Sequence, residues 1–112
     1  MKRFLVTYQS TASAAELTAS LTPQQAEAGL AAWMKWAHHA GSAVVELGMP
    51  LATATVHTAT ARPAPTKTQT VGFSIMQAES VDALAKALEG HPHYRAPGAS
   101  IIAHEVLPIQ GM

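Results

Sequence analysis

Apolar and polar positions alternate from the first residues of the chain. In "KRFLVTYQ", Phe4, Val6 and Tyr8 fall on one side and Leu5, Thr7 and Gln9 on the other, which predicts a strand. The stretch that follows, "STASAAELTASL", is small and polar and reads as a loop or a weak helical turn. The period then changes. "TPQQAEAGLAAWMKWAHHAG" puts Ala26, Leu30, Trp33, Met34 and Ala37 on one face at helical spacing, with Trp36 and His38 on its flanks and His39 pointing away. Thr22 can cap this helix, Pro23 suits its first position, Gln25 completes a capping box and Gly41 ends it.

The segment "SAVVELGMPLATATVHTAT" reads as extended, with a bulge or kink where Gly48 and Pro50 punctuate it. "ARPAPTKTQ" reads as a hairpin loop, with Arg62 to Lys67 expected to be the most mobile internal stretch. "TVGFSIMQAE" is a strand. "SVDALAKALEG" is a helix capped by Ser80, with Asp82 at its positive end, Val81, Leu84, Ala85 and Leu88 as its buried face, and Gly90 as its stop. "ASIIAHEVLPI" is the last strand. The order β-α-β-β-α-β is the ferredoxin-like pattern, an α+β fold with two helices on one face of an antiparallel sheet. Both sides of the third strand are apolar, Val71, Phe73 and Ile75 against Met76 and Ala78, and the last strand repeats this with Ile101 and Ala103 against Ile102 and Val106. Helices on one face leave the other uncovered. The expectation is a homodimer with sheets face to face, a dimeric α/β barrel.

Composition sharpens this picture. The chain has 112 residues, which suits one domain spanning 1–112. Hydrophobic residues make up 48% and charged ones only 12%, so part of the apolar surface is expected against a partner chain. Seven basic and seven acidic residues cancel, which argues against a nucleic-acid partner. No stretch approaches the roughly 20 apolar residues of a membrane helix. The apolar run Phe4 to Val6 is too short for a signal peptide, and the absence of Cys fits a reducing compartment, so a cytoplasmic location is expected. No cofactor is assigned.

The chemistry concentrates in "GHPHYRAPGAS". Histidine titrates near neutral pH and ligates metals. In an extended segment His91 and His93 would point the same way, as an acid/base or metal pair would require. The structural alternative is that His91 and Pro92 end the preceding helix. His93 is preferred as the functional residue because His91 lies closer to that helix end. Glu46 and His38 are the candidate partners. No zinc spacing such as HExxH is present, and no metal is assigned. His104 is expected to be buried on an apolar strand face, Glu105 to be a solvated edge group, and His57 to share a polar stripe with Thr53 and Thr55. Trp33 is expected in the core, with Trp36 as the alternative wall of a ligand cavity. Ser100 and His104 lack a third orienting group, which discounts a Ser–His hydrolase.

The blocks "AAWMKWAHHAGSAVVELGMPL" and "TVGFSIMQAESVDALAKALEGHPHYRAPGASIIAHEVLPI" resemble the YCII-related family, especially its DGPF-type branch. The resemblance implies the dimeric α/β barrel. It also implies a cleft in which, in relatives, a histidine and an aspartate meet. That histidine lies early in the first helix, where this chain has Gln24, Gln25 and Ala26, and Glu46 stands where relatives often have Asp. Two functions follow as alternatives. One is a small enzyme acting on a compact organic molecule by proton transfer, with His91 or His93 assisted by Glu46 or His38. The other is a non-catalytic dimeric domain that binds a small ligand or a protein partner.

Overall fold

The protein is described here from a computed structural model, which covers residues 1–53 and 68–111. The expectations for His57, for the stripe beyond Thr53 and for the Arg62 to Lys67 loop fall outside the described residues. The chain runs as β1 (Lys2–Ser10), α1 (Ala14–Ala19), α2 (Pro23–Ala40), β2 (Val44–Glu46), β3 (Gln69–Ala78), α3 (Val81–Ala87) and β4 (Ser100–Glu105). A 3-10 turn, Gly41–Ala43, joins α2 to β2, and another, Pro92–Arg95, precedes β4. The architecture is α+β. The four strands form one antiparallel sheet in the order β2-β3-β1-β4. Among the described residues, no helix is long and apolar enough to cross a membrane.

The alternation in β1 sets the two faces of the sheet. Phe4, Val6, Tyr8 and Ser10 are buried on one face. Opposite Phe4 and Val6 stand Met76 and Ser74 of β3, also buried. The core lies between this face and the helices, where Phe4, Val6, Met76 and Ala78 meet Trp36 of α2 and Leu84 and Leu88 of and just beyond α3. The other face carries Leu5, Thr7 and Gln9 of β1, in register with Ile75, Phe73 and Thr70 of β3 and with His104, Ile102 and Ser100 of β4. No described element packs over it, and Leu5 and Ile102 are exposed.

Helix ends follow the sequence closely. Thr22 and Gln25 close a capping box at the start of α2, and Gly41 caps its end. Ser80 accepts the Ala83 amide at the start of α3. The segment read as a loop or weak turn contains α1, which Ser13 and Glu16 cap reciprocally.

The helix stripes differ from expectation. On α2 the buried residue is Trp36, flanked by half-buried Trp33, Ala37 and Ala40, whereas Ala26, Leu30 and Met34 are exposed. The packed face of α2 therefore runs along Trp33, Trp36, Ala37 and Ala40, turned away from the expected stripe at Ala26, Leu30 and Met34. On α3, Leu84 and Leu88 are buried, but Val81 and Ala85 are exposed and Ala87 is half-buried instead. A seven-residue helix presents little more than one i, i+4 pair to the sheet. His104 is exposed rather than buried, because its face of β4 is the uncovered one. Val71 does not share a face with Phe73 and Ile75. A register shift between Tyr8 and Gln9 turns it into the helix-covered side, where it is buried.

Candidate functional site

A cavity of about 560 Å³ opens beneath α1 and α2 at the Tyr8 end of the sheet. That is within the range typical of small-molecule sites. Tyr8 and Val71 form its floor, Leu17 and Thr18 of α1 and Leu30 and Trp33 of α2 one wall, Leu47–Pro50 another, and Pro92 and His93 the end. The turn at Gly48 depends on the absence of a side chain. Its φ is +84°, and a Cβ would lie 1.7 Å from the Phe73 carbonyl oxygen. Close docking of Gly48 is therefore what brings Leu47 and Met49 over the cavity.

Backbone and hydroxyl bonds fix the end that carries the histidines. Ser10 Oγ donates to the Pro97 carbonyl at 2.7 Å, and the Thr11 amide donates to the same oxygen. These contacts tie the end of β1 to the chain leaving the Pro92–Arg95 turn. His93 Nε2 lies 2.7 Å from the Gln9 carbonyl oxygen. A carbonyl can only accept, so Nε2 carries the proton and the neutral ring keeps a lone pair on Nδ1.

His91 and His93 do not act as a side-by-side pair. Pro92 starts a 3-10 turn instead of an extended segment, and in such a turn residues two apart lie about 120° apart around the axis. His93 lines the cavity. His91 is only 2% exposed, wedged among Tyr8, Trp33 and Trp36 with ring centroids 4.9, 4.4 and 4.2 Å away. It does not cap α3. Its Nδ1 accepts the His93 amide at 2.9 Å and so caps the 3-10 turn. Its proton therefore sits on Nε2, which is buried with no hydrogen-bond partner. Burial first, and then the neighbouring His93, push this imidazole down to about 4.

Glu46 and His38 stand apart from this site. Glu46 is exposed on β2, opposite Ile75, and His38 is exposed on α2; neither lines the cavity. The structure brings His91 and His93 into one aromatic cluster and does not bring the carboxylate or His38 to it. The tryptophan roles are reversed relative to expectation. Trp36 is the core residue, its Nε1–H donating to the Ala87 carbonyl at 2.9 Å, and Trp33 walls the cavity. Tyr8 is buried on the cavity floor, and its hydroxyl bonds Ser74 Oγ at 2.8 Å. Burial raises its ionisation above the ordinary phenol value, and the Ser74 bond offsets this in part. Among the described residues no three His, Asp or Glu side chains come together as a metal site would need.

Sequence reasoning missed Thr18, Val71 and Leu47 as parts of the site. The signal for Leu47 was the Gly48 and Pro50 punctuation, read only as a kink. Glu105 lies at the sheet edge, 3.9 Å from Lys2 Nζ, as a solvated group. No family model matches the chain, and no curated protein matches it.

Proposed function

We propose that this chain is a YCII-related domain of the DGPF type, with the ferredoxin-like fold, that binds a compact and largely apolar molecule in the cavity beside Tyr8 and Trp33. His93 is the proton or hydrogen-bond acceptor for that molecule. The observation that carries this reading is the placement of His93: one ring nitrogen is anchored to the Gln9 carbonyl, while the ring lines an otherwise apolar cavity. An imidazole held in one tautomer and orientation is what a general base requires. His91, buried and held neutral, orients the turn that carries His93. One observation favours binding without turnover as the second reading. Among the described residues no Asp, Glu, Lys or Arg lines the cavity, and burial raises the ionisation of Tyr8, so His93 has no carboxylate or ammonium partner there to complete a proton shuttle.

In the proposed assembly a second copy covers the open sheet face, where Leu5, Phe73, Ile75 and Ile102 gather, and closes the dimeric barrel. Burying such a face is favourable at roughly 25 cal/mol per Å² of apolar area. Light scattering should give a dimer mass at micromolar concentration, and Ile75→Lys should reduce it to a monomer. A wild-type monomer at that concentration contradicts the assembly. For the site, 5-fluorotryptophan labelling gives one ¹⁹F resonance for each tryptophan. A set of compact aromatic and aliphatic compounds should include binders that move Trp33 more than Trp36. If none moves Trp33 at millimolar concentration, the small-molecule reading fails.

A further inference from the structure

We infer that the cavity selects a neutral molecule with an apolar body and one hydroxyl group, which donates to His93 Nδ1. This inference rests on the small-molecule reading above and names its ligand class. It comes from following each proton on the side chains that line the cavity. Ser74 Oγ donates to the Leu47 carbonyl, which can only accept. Ser74 has one proton, so in the Tyr8–Ser74 bond the tyrosine must be the donor. The Tyr8 hydroxyl therefore offers only lone pairs to a ligand. Thr18 Oγ1 lies 3.1 Å from both the Ala14 and Ala15 carbonyls and spends its proton on them. The His93 Nε2 proton is committed to Gln9, which leaves Nδ1 as an acceptor. Among the described residues, the remaining side-chain donor of the lining is the indole N–H of Trp33.

The side chains that line this largely apolar space thus keep acceptor lone pairs and one uncommitted N–H, and among the described residues none of them is Asp, Glu, Lys or Arg. A carboxylate or phosphate only accepts. It would find one uncommitted side-chain donor and, among the described residues, no cation, so the cost of its desolvation would be poorly offset. An ammonium group would have acceptors but no counter-charge. A hydroxyl donates once and accepts, so it can satisfy His93 Nδ1 without leaving a buried charge. An ether of the same shape has no proton to give, so it cannot pair with His93.

The test is an NMR titration of the full chain at pH 7.5 with four probes built on one bicyclic frame: 5-indanol, 5-methoxyindane, indane and indane-5-carboxylate. The expected result is cavity binding of 5-indanol about tenfold tighter than of 5-methoxyindane, and tighter than the carboxylate by at least as much. His93→Phe should bring 5-indanol and 5-methoxyindane to within about twofold of each other. Should that variant fail to fold, the imidazole ¹⁵N signals of the wild-type protein give the same answer, with His93 Nδ1 moving on 5-indanol but not on indane. Equal or tighter binding of the ether or the carboxylate overturns the ligand class and leaves the small-molecule cavity standing. A hydroxyl preference that survives in His93→Phe overturns the assignment to Nδ1. No shift of cavity resonances with any of the four overturns both readings.

Discussion

The two ends of the helix-covered face start from the same strand alternation and are finished differently. At the Phe4 end, Phe4, Met76, Ala78, Leu84, Leu88 and Trp36 fill the space between sheet and helices, all buried. At the Tyr8 end the opposing strand position is Gly72, the bulge turns Val71 inward, and α1 with the Leu47–Pro50 turn bridges over rather than filling. Apolar side chains dominate both ends. The difference is whether side-chain volume meets across the layer. His91 sits at the junction, touching Trp36 of the filled end and Tyr8 and Trp33 of the open one. The filled end carries the stability of the domain, and the open end is shaped for a ligand.

The largest expected effect breaks the filled end. Phe4→Ala should cost about 3–5 kcal/mol, the usual range for emptying a buried phenylalanine site. Thermal unfolding should show it as a clear fall in Tm, with weakened ligand binding only as far as the fold loosens. A change below 1 kcal/mol would mean that this end is not the stabilising one.

Next comes the junction. His91 has a folded pKa of about 4, below its unfolded value of about 6.5, so the folded state prefers the neutral ring. Its contribution is fully present above about pH 6.5 and is lost as the pH falls from there to about 4. The shift corresponds to about 3 kcal/mol across that window. Denaturant unfolding at stepped pH measures the slope. His91→Phe, which keeps a ring among Tyr8, Trp33 and Trp36, should flatten most of it. An unchanged slope in that variant would assign the acid sensitivity elsewhere.

Much of this division was legible in the chain. The alternation from Phe4 to Tyr8 marks the covered face, and the signals at Ser80, Thr22, Pro23 and Gln25 mark the helix starts, because caps and strand pleats are local. The choice of His93 over His91 rested on closeness to a helix end, and His93 is the one that lines the cavity. What stayed hidden depends on tertiary placement. A helical wheel groups apolar positions but cannot show which side of α2 docks on the sheet, so Leu30 and Met34 looked buried and Trp36 looked peripheral. An extended reading of His91-Pro92-His93 could not anticipate a 3-10 turn held by a side-chain acceptor. Pairing of Glu46 or His38 with the histidines requires long-range docking that sequence spacing does not encode.

The smallest effects on stability should lie at the open end. Leu30→Ala, at an exposed position on the cavity wall, should change stability by less than about 0.5 kcal/mol while weakening 5-indanol binding severalfold. A stability loss as large as that of Phe4→Ala would erase the contrast between the two ends.

The role of His93 is tested most directly by the imidazole ¹⁵N spectrum of the free protein and of the protein saturated with 5-indanol. The expected result is Nε2-protonated tautomers for His91 and for the neutral His93 ring, a shift of His93 Nδ1 on saturation, and little movement of His91 Nδ1, which remains bonded to the His93 amide. A His93 ring that does not respond while 5-indanol is bound, or responds no more than the exposed rings of His38, His39 and His104, would contradict it.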